Sequence, residues 1–237
     1  MTSDELSHFI SGRLGDFYQR RMQRLGSLKL KQILKRKNPY LFKAIGTQSA
    51  TEIVEGILAA YLSSSDEGIF GDAFFEPIAK AVSGGVVSPS EGVDIAIEAD
   101  TVYKAVSVKS GPNPYNSSQR KRQDQEFRAL RSRLLKLKKQ FDPILGHSYG
   151  KSARPSMSVI YRDLAGQAFW EEITGDSDFY LKLIRLMRSQ VIEKHRRAYK
   201  AAWDMAVNKY VREFTTVFCD HSGAIMWEAL VKFNSGK

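Results

Sequence analysis

A single cysteine, Cys219, in 237 residues leaves no partner for a disulfide and too few thiolates for a zinc site. The four histidines, His8, His147, His195 and His221, are scattered, with no two at metal-ligand spacing. Any metal chemistry must therefore rely on oxygen ligands, which suits magnesium, manganese or calcium. No run approaches the roughly 20 apolar residues that a membrane span needs. Met1 to Glu5 lack the basic-then-apolar pattern of a signal peptide, so a cytoplasmic protein without membrane attachment is expected. Internal repeats and low-complexity linkers are also missing.

What the chain does have is positive charge: 36 Lys and Arg against 26 Asp and Glu, a net +10. Such a surplus favours a polyanionic partner, because basic side chains release counterions from phosphates. With 43% hydrophobic residues, the length accommodates one domain, 1–237. It divides into a helical N-terminal part (about 1–62), a core (about 63–165) and a helical C-terminal part (about 166–237).

Helical spacing of Leu6, Phe9, Ile10, Leu14 and Phe17 predicts one helix from Ser3 to about Leu34. Lys29, Lys31, Lys35, Arg36 and Lys37 crowd its end, which suits either a helix C-terminus or contact with DNA. Ser49-Ala-Thr-Glu52 reads as a capping box opening a further helix, broken by the polar run Ser63–Glu67. Ile69–Val82 reads as another, kinked or restarted at Pro77. Alternation in Val93–Ile97 and Val102–Val108 predicts a β-hairpin turning at Glu98–Thr101. A basic helix capped by Ser117 or Ser118 follows, reaching about Gln140. Phe141–Leu145 and Pro155–Tyr161 are further strand candidates, and the last third is helical.

The chemistry concentrates at Asp94 and at Ser107-Val108-Lys109, fifteen residues further on. Ser107 and Lys109 share one face of a strand, and a hairpin brings that face beside Asp94. An aspartate can bind a divalent cation that holds a phosphate and acidifies a water. The ammonium can orient that water or offset transition-state charge, and the Val108 carbonyl can complete the metal shell.

Around these residues, Asn38-Pro-Tyr-Leu-Phe42, Leu62-Ser-Ser-Ser65, Phe70-Gly71, Glu91-Gly-Val-Asp94, Ser107-Val-Lys-Ser-Gly-Pro-Asn113 and Asn116-Ser-Ser-Gln119 occur in one order. Gly166-Gln-Ala-Phe-Trp170, Gly175-Asp176 and Leu230-Val-Lys-Phe-Asn-Ser235 continue it. The set resembles the PmeII-type restriction endonucleases, a branch of the PD-(D/E)XK nuclease superfamily, over nearly the whole chain. The resemblance implies an α/β fold: a restriction-endonuclease-like core with a mixed β-sheet flanked by helices, and helical additions at both ends. It matches Asp94 to the superfamily's first acid and Lys109 to its lysine. Ser107 stands where a second acid is usual. Glu76, on the preceding helix, is the candidate for the missing charge and metal ligand, with Glu98 the alternative.

The function that follows is that of a type II restriction endonuclease, hydrolysing double-stranded DNA at a specific sequence with Mg2+. Catalytic roles fall to Asp94, Lys109, Glu76 and Ser107, and metal ligation to Asp94, Glu76 and Val108. DNA contact is expected from Ser110, Asn113, Asn116, Ser117, Ser118, Gln119, Arg120, Lys121 and Arg122. A homodimer is expected, since one site cuts one strand. The alternatives are a structure-selective or repair nuclease of the same fold, and a DNA-binding protein whose site has decayed.

Overall fold

The computed structural model describes residues 1–112, 115–134, 139–151 and 159–236. The backbone groups into two compact units, Met1–Phe17 with Glu67–Ile192, and Tyr18–Asp66 with Glu193–Lys237.

The first unit is built on a five-stranded sheet: β1 (Val86–Val87), β2 (Ile95–Glu98), β3 (Val102–Lys109), β4 (Gln140–His147) and β5 (Arg162–Ala165), in spatial order β1-β2-β3-β4-β5. The β1–β2 and β2–β3 pairs are antiparallel, whereas β3–β4 and β4–β5 are parallel. Parallel neighbours need a crossover, and helix α6 (Ser117–Leu134) lies between β3 and β4 in sequence. The expected mixed sheet flanked by helices is thus the observed one.

Period-two alternation sends the side chains of β3 to two cores. Val106 and Val108 join Ile95 and Ile144 against Ile10 and Leu14 of helix α1 (Ser3–Gly26) and Ile78 of α5 (Glu76–Ser83). Phe169 and Trp170 of α7 (Gln167–Thr174) and Leu183 of α8 (Phe179–Leu186) complete that layer. Tyr103 and Ala105 face the other way, with Ala96 and Leu145, onto Phe127 and Leu130 of α6.

The second unit is helical. It comprises the rest of α1, α2 (Leu30–Leu34), α3 (Pro39–Ala44), most of α4 (Ala50–Phe70), most of α9 (Ser189–Phe218) and α10 (Trp227–Ser235). Its core joins Leu28, Leu30, Leu34, Ile53, Ile57, Tyr210, Phe214 and Leu230.

Several expectations need correction. The first helix stops at Gly26, and the Lys29–Lys37 cluster belongs to the five-residue α2 and its flanking turns. Ser63–Glu67 does not break α4: Ser64 and Ser65 hydroxyls donate back to the Tyr61 carbonyl, and Asp66 accepts a bidentate pair from Arg21 at 2.7 and 2.8 Å. Pro77, by contrast, marks a restart as expected, since the helix resumes as α5 at Glu76. A π-helical turn, Gly71–Phe75, precedes α5, and Pro77 lies in the first turn of α5, where its missing N–H is not needed. The cap of α6 is Asn116, not Ser117 or Ser118; α6 is described to Leu134, residues 135–138 lie outside the described residues, and Gln140, where the helix was expected to end, opens β4. Of the Pro155–Tyr161 strand candidate, residues 155–158 lie outside the described residues, and β5 starts at Arg162.

Candidate active site

Asp94 stands just before β2. Its N–H donates to the Val106 carbonyl at 2.9 Å, so the residue extends the hairpin ladder by one position. The register Ile95↔Val106 then sets Asp94 across from Ser107, on the face that Ser107 shares with Lys109. One carboxylate oxygen, Oδ2, accepts from the Val108 N–H at 2.6 Å and from the Ser107 hydroxyl at 3.3 Å, with Lys109 Nζ at 3.7 Å. Ser107 is fully buried, with its hydroxyl directed to the Asp94 carboxylate.

Lys109 is three-quarters buried, and two opposing influences act on its ammonium. Burial is the largest single one and pulls the pKa down. Asp94, then Tyr115, then Glu76 more than offset it, leaving the pKa above that of ordinary lysine. The lysine is therefore a fixed cation at neutral pH. Glu76, eighteen residues before Asp94 in sequence, is close enough to act on it electrostatically and lines the same cleft.

That cleft, of about 600 Å³, is bounded by Glu67, Asp72, Glu76, Asp94, Val108, Lys109, Ser110 and Tyr149. Among the described residues no three His, Cys, Asp or Glu side chains converge closely enough to grip a cation by themselves. Magnesium does not require that. It keeps several waters and takes one or two carboxylates together with substrate phosphate, and the cleft's carboxylate oxygens are donors of that hard class. The residues present thus fit a hydrated, oxygen-bound cation. Glu98 shares the sheet face of Asp94 but lies about 13 Å along the strand from it, where its carboxylate pairs with Lys139 at 2.6 Å.

The residues expected to meet DNA are variously engaged. Ser110 donates to Glu67 at 2.5 Å. Asn116 and Gln119 cap α6 reciprocally, each side chain accepting the other's backbone N–H at 2.9 Å. Ser117, Ser118 and Lys121 are exposed on the first turns of α6. Arg120 lies 3.9 Å from Asp163, while Arg122 pairs with Glu91 and with Glu126. Asn113 lies outside the described residues.

The sequence reading missed the supports behind the lysine. His147, directly across from Lys109 on β4, is buried. Its Nδ1 is 2.8 Å from the Gly111 carbonyl, and its Nε2 is 2.8 Å from Asp163, close in distance but off the hydrogen-bond axis. Ser148 donates twice to the Lys109 carbonyl, from its N–H at 2.9 Å and its hydroxyl at 3.1 Å. Tyr115 donates to Gln123 at 2.7 Å, and Gln123 in turn to the Gly92 carbonyl at 2.7 Å, tying the loop after β3 to the turn before Asp94. A scattered histidine carries no sequence signal for such a role; only strand register brings it beside Lys109.

A family model described as type II restriction endonuclease EcoO109I matches residues 4–195 of the chain. No curated protein matches it.

Proposed function

Because the chain belongs to the EcoO109I family of type II restriction endonucleases, enzymes that cleave DNA, we propose that it hydrolyses both strands of duplex DNA at one specific sequence, with Mg2+, as a homodimer. The observation that carries this reading is the Asp94–Lys109 pair, held 3.7 Å apart at the end of β3 in a cleft lined by three further carboxylates.

In the proposed mechanism, Asp94, Glu76 and the Val108 carbonyl would hold the metal, which would supply Lewis-acid polarisation of the scissile phosphate and a more acidic water. Ser107 and the Val108 N–H keep the Asp94 carboxylate aimed by donating to it. Lys109, a permanent cation by virtue of its neighbours, orients the attacking water and offsets the negative charge that builds on the phosphate. Glu76 is preferred over Glu98 as second acid because Glu76 lines the cleft and Glu98 is paired with Lys139. The start of α6, from Ser117 to Arg122, together with Ser110, Asn113 and Asn116, supplies contacts to phosphates and base edges. Arg122 must exchange its pairing with Glu91 and Glu126 for DNA.

We further place the chain with the PmeII-type enzymes on its Ser107–Asn113 and Asn116–Gln119 strings, and treat 1–237 as one nuclease domain with helical additions. Dimerisation follows from the chemistry: two sites related by a twofold axis cut both strands of a palindrome.

Digestion of a sequenced plasmid with Mg2+, followed by mapping of the ends, tests the proposal. Discrete fragments with one terminal sequence are expected; random degradation or preference for branched DNA would overturn sequence-specific restriction. Ser107 favours a second reading, a DNA-binding protein without cleavage. Salt-sensitive binding with no product under any divalent ion would select it.

A further inference from the structure

Most of the chain's positive surplus lies outside the unit that carries the cleft. The helical unit, Tyr18–Asp66 with Glu193–Lys237, has 17 Lys and Arg against 8 Asp and Glu, nine of the net +10. Within it, the stretch from Lys29 to Lys43 contains six Lys or Arg and no acid.

Completion of a helix C-terminus does not account for this cluster. Helix α1 ends at Gly26 with Arg24 in its last turn, and α2, with five residues, has a small dipole to offset. Among the described residues none of the six takes part in an ion pair, whereas Arg196, Arg197 and Lys200 of the same unit are all paired with acids on α9. Five of the six are exposed and Lys37 is half-buried.

The surface is also rigidly backed. Leu28, Leu30 and Leu34 are buried in the unit's core, and the Tyr210 hydroxyl donates to the Leu28 carbonyl at 2.7 Å. The Asn234 amide donates to the carbonyls of Leu34 and Lys37, each at 2.8 Å. Exposed Tyr40, Leu41 and Ile45 adjoin the cations in sequence. Like charges held together on a fixed backbone, with no acid among them, repel one another until a polyanion arrives.

We propose that the Lys29–Lys43 surface is a second DNA-contacting site, gripping duplex phosphates independently of sequence. It rests on the nuclease reading for its choice of duplex DNA. Binding there is electrostatic, so the four exposed cations Lys29, Lys31, Lys35 and Arg36 contribute to the salt dependence of affinity, about 0.9 in log–log slope for each phosphate engaged.

The test is the full chain with all four changed to Gln, compared with wild type on a non-cognate duplex across a salt series, with Ca2+ in place of Mg2+. A slope shallower by about two to four, and affinity at 150 mM salt at least about tenfold lower, are expected. Single-turnover cleavage of prebound cognate plasmid and thermal stability should stay as in wild type. An unchanged slope in a variant whose parent cuts DNA overturns the second site and leaves the nuclease reading standing. A parent that neither binds nor cuts DNA overturns both. Loss of binding to phosphatidylserine vesicles with undiminished DNA binding would assign the surface to membranes and overturn the proposal.

Discussion

Replacing Lys109 with alanine separates what its ammonium does for stability from what it does for catalysis. At 3.7 Å from Asp94, the gross attraction is about 4 to 5 kcal/mol at an effective dielectric constant of about 20. Burial of the ammonium opposes it and is the largest single influence on that group. Asp94 also keeps its bonds from Val108 and Ser107 when the lysine is gone. The net loss in unfolding free energy should therefore be only about 1 kcal/mol. Catalysis has no such compensation, because the charge on the phosphate rises only in the transition state. Losing one preorganised electrostatic partner there costs about 3 to 4 kcal/mol, a rate lower by roughly two to three orders of magnitude. Single-turnover cleavage of plasmid with Mg2+ measures the second quantity; urea unfolding and duplex affinity in Ca2+ measure the first. Cleavage within tenfold of wild type, or an equal collapse of stability and rate, would refute this assignment of Lys109.

Other perturbations test neighbouring parts of the structure. Glu76→Gln should lower single-turnover cleavage at least about tenfold while Glu98→Gln leaves it near wild type; the reverse ranking would move the second acid to β2. Glu172 is held at a pKa of about 2 by hydrogen bonds from Arg162 and Lys104, against the ordinary 4.5. Its contribution to stability is complete above about pH 4.5 and is lost as pH falls toward 2. After allowance for solvent screening it amounts to about 1 to 2 kcal/mol. Thermal melts of Arg162→Met and wild type should thus differ at pH 6 and approach each other only as pH falls to about 2. Gly146→Ala would place a Cβ 2.1 Å from the buried Phe169 ring. A loss of about 1 to 3 kcal/mol in chemical unfolding is expected, and near-neutral behaviour would mean that α7 yields easily.

The local chemistry of the chain was legible in its sequence wherever neighbours along the chain decide it. The Ser49–Glu52 capping box forms as read, with Ser49 and Glu52 bonding reciprocally at 3.2 and 3.4 Å. The β2–β3 hairpin follows from alternation, and it alone explains why Asp94 and Lys109 meet. Polar composition misled at Ser63–Glu67, because serines can bond back to the preceding turn and an Asp can find an Arg some 45 residues away in sequence. Propensity read correctly at Pro77, which stands in the first turn of a new helix, α5, after the π-helical turn Gly71–Phe75.

From sequence alone came the pairing of adjacent strands, the restriction of any metal site to oxygen ligands and the basic stretch beginning at Lys29, since each depends on residue type and short separations. Tertiary structure decided which of two distant acids reaches the cleft, which histidine stands behind the lysine, and which cations have no acidic partner among the described residues. Those outcomes depend on contacts between segments tens of residues apart, and no local pattern records them. The sequence ranked Glu76 ahead of Glu98 without placing either; α5 brings Glu76 to the cleft, while Lys139 pairs with Glu98.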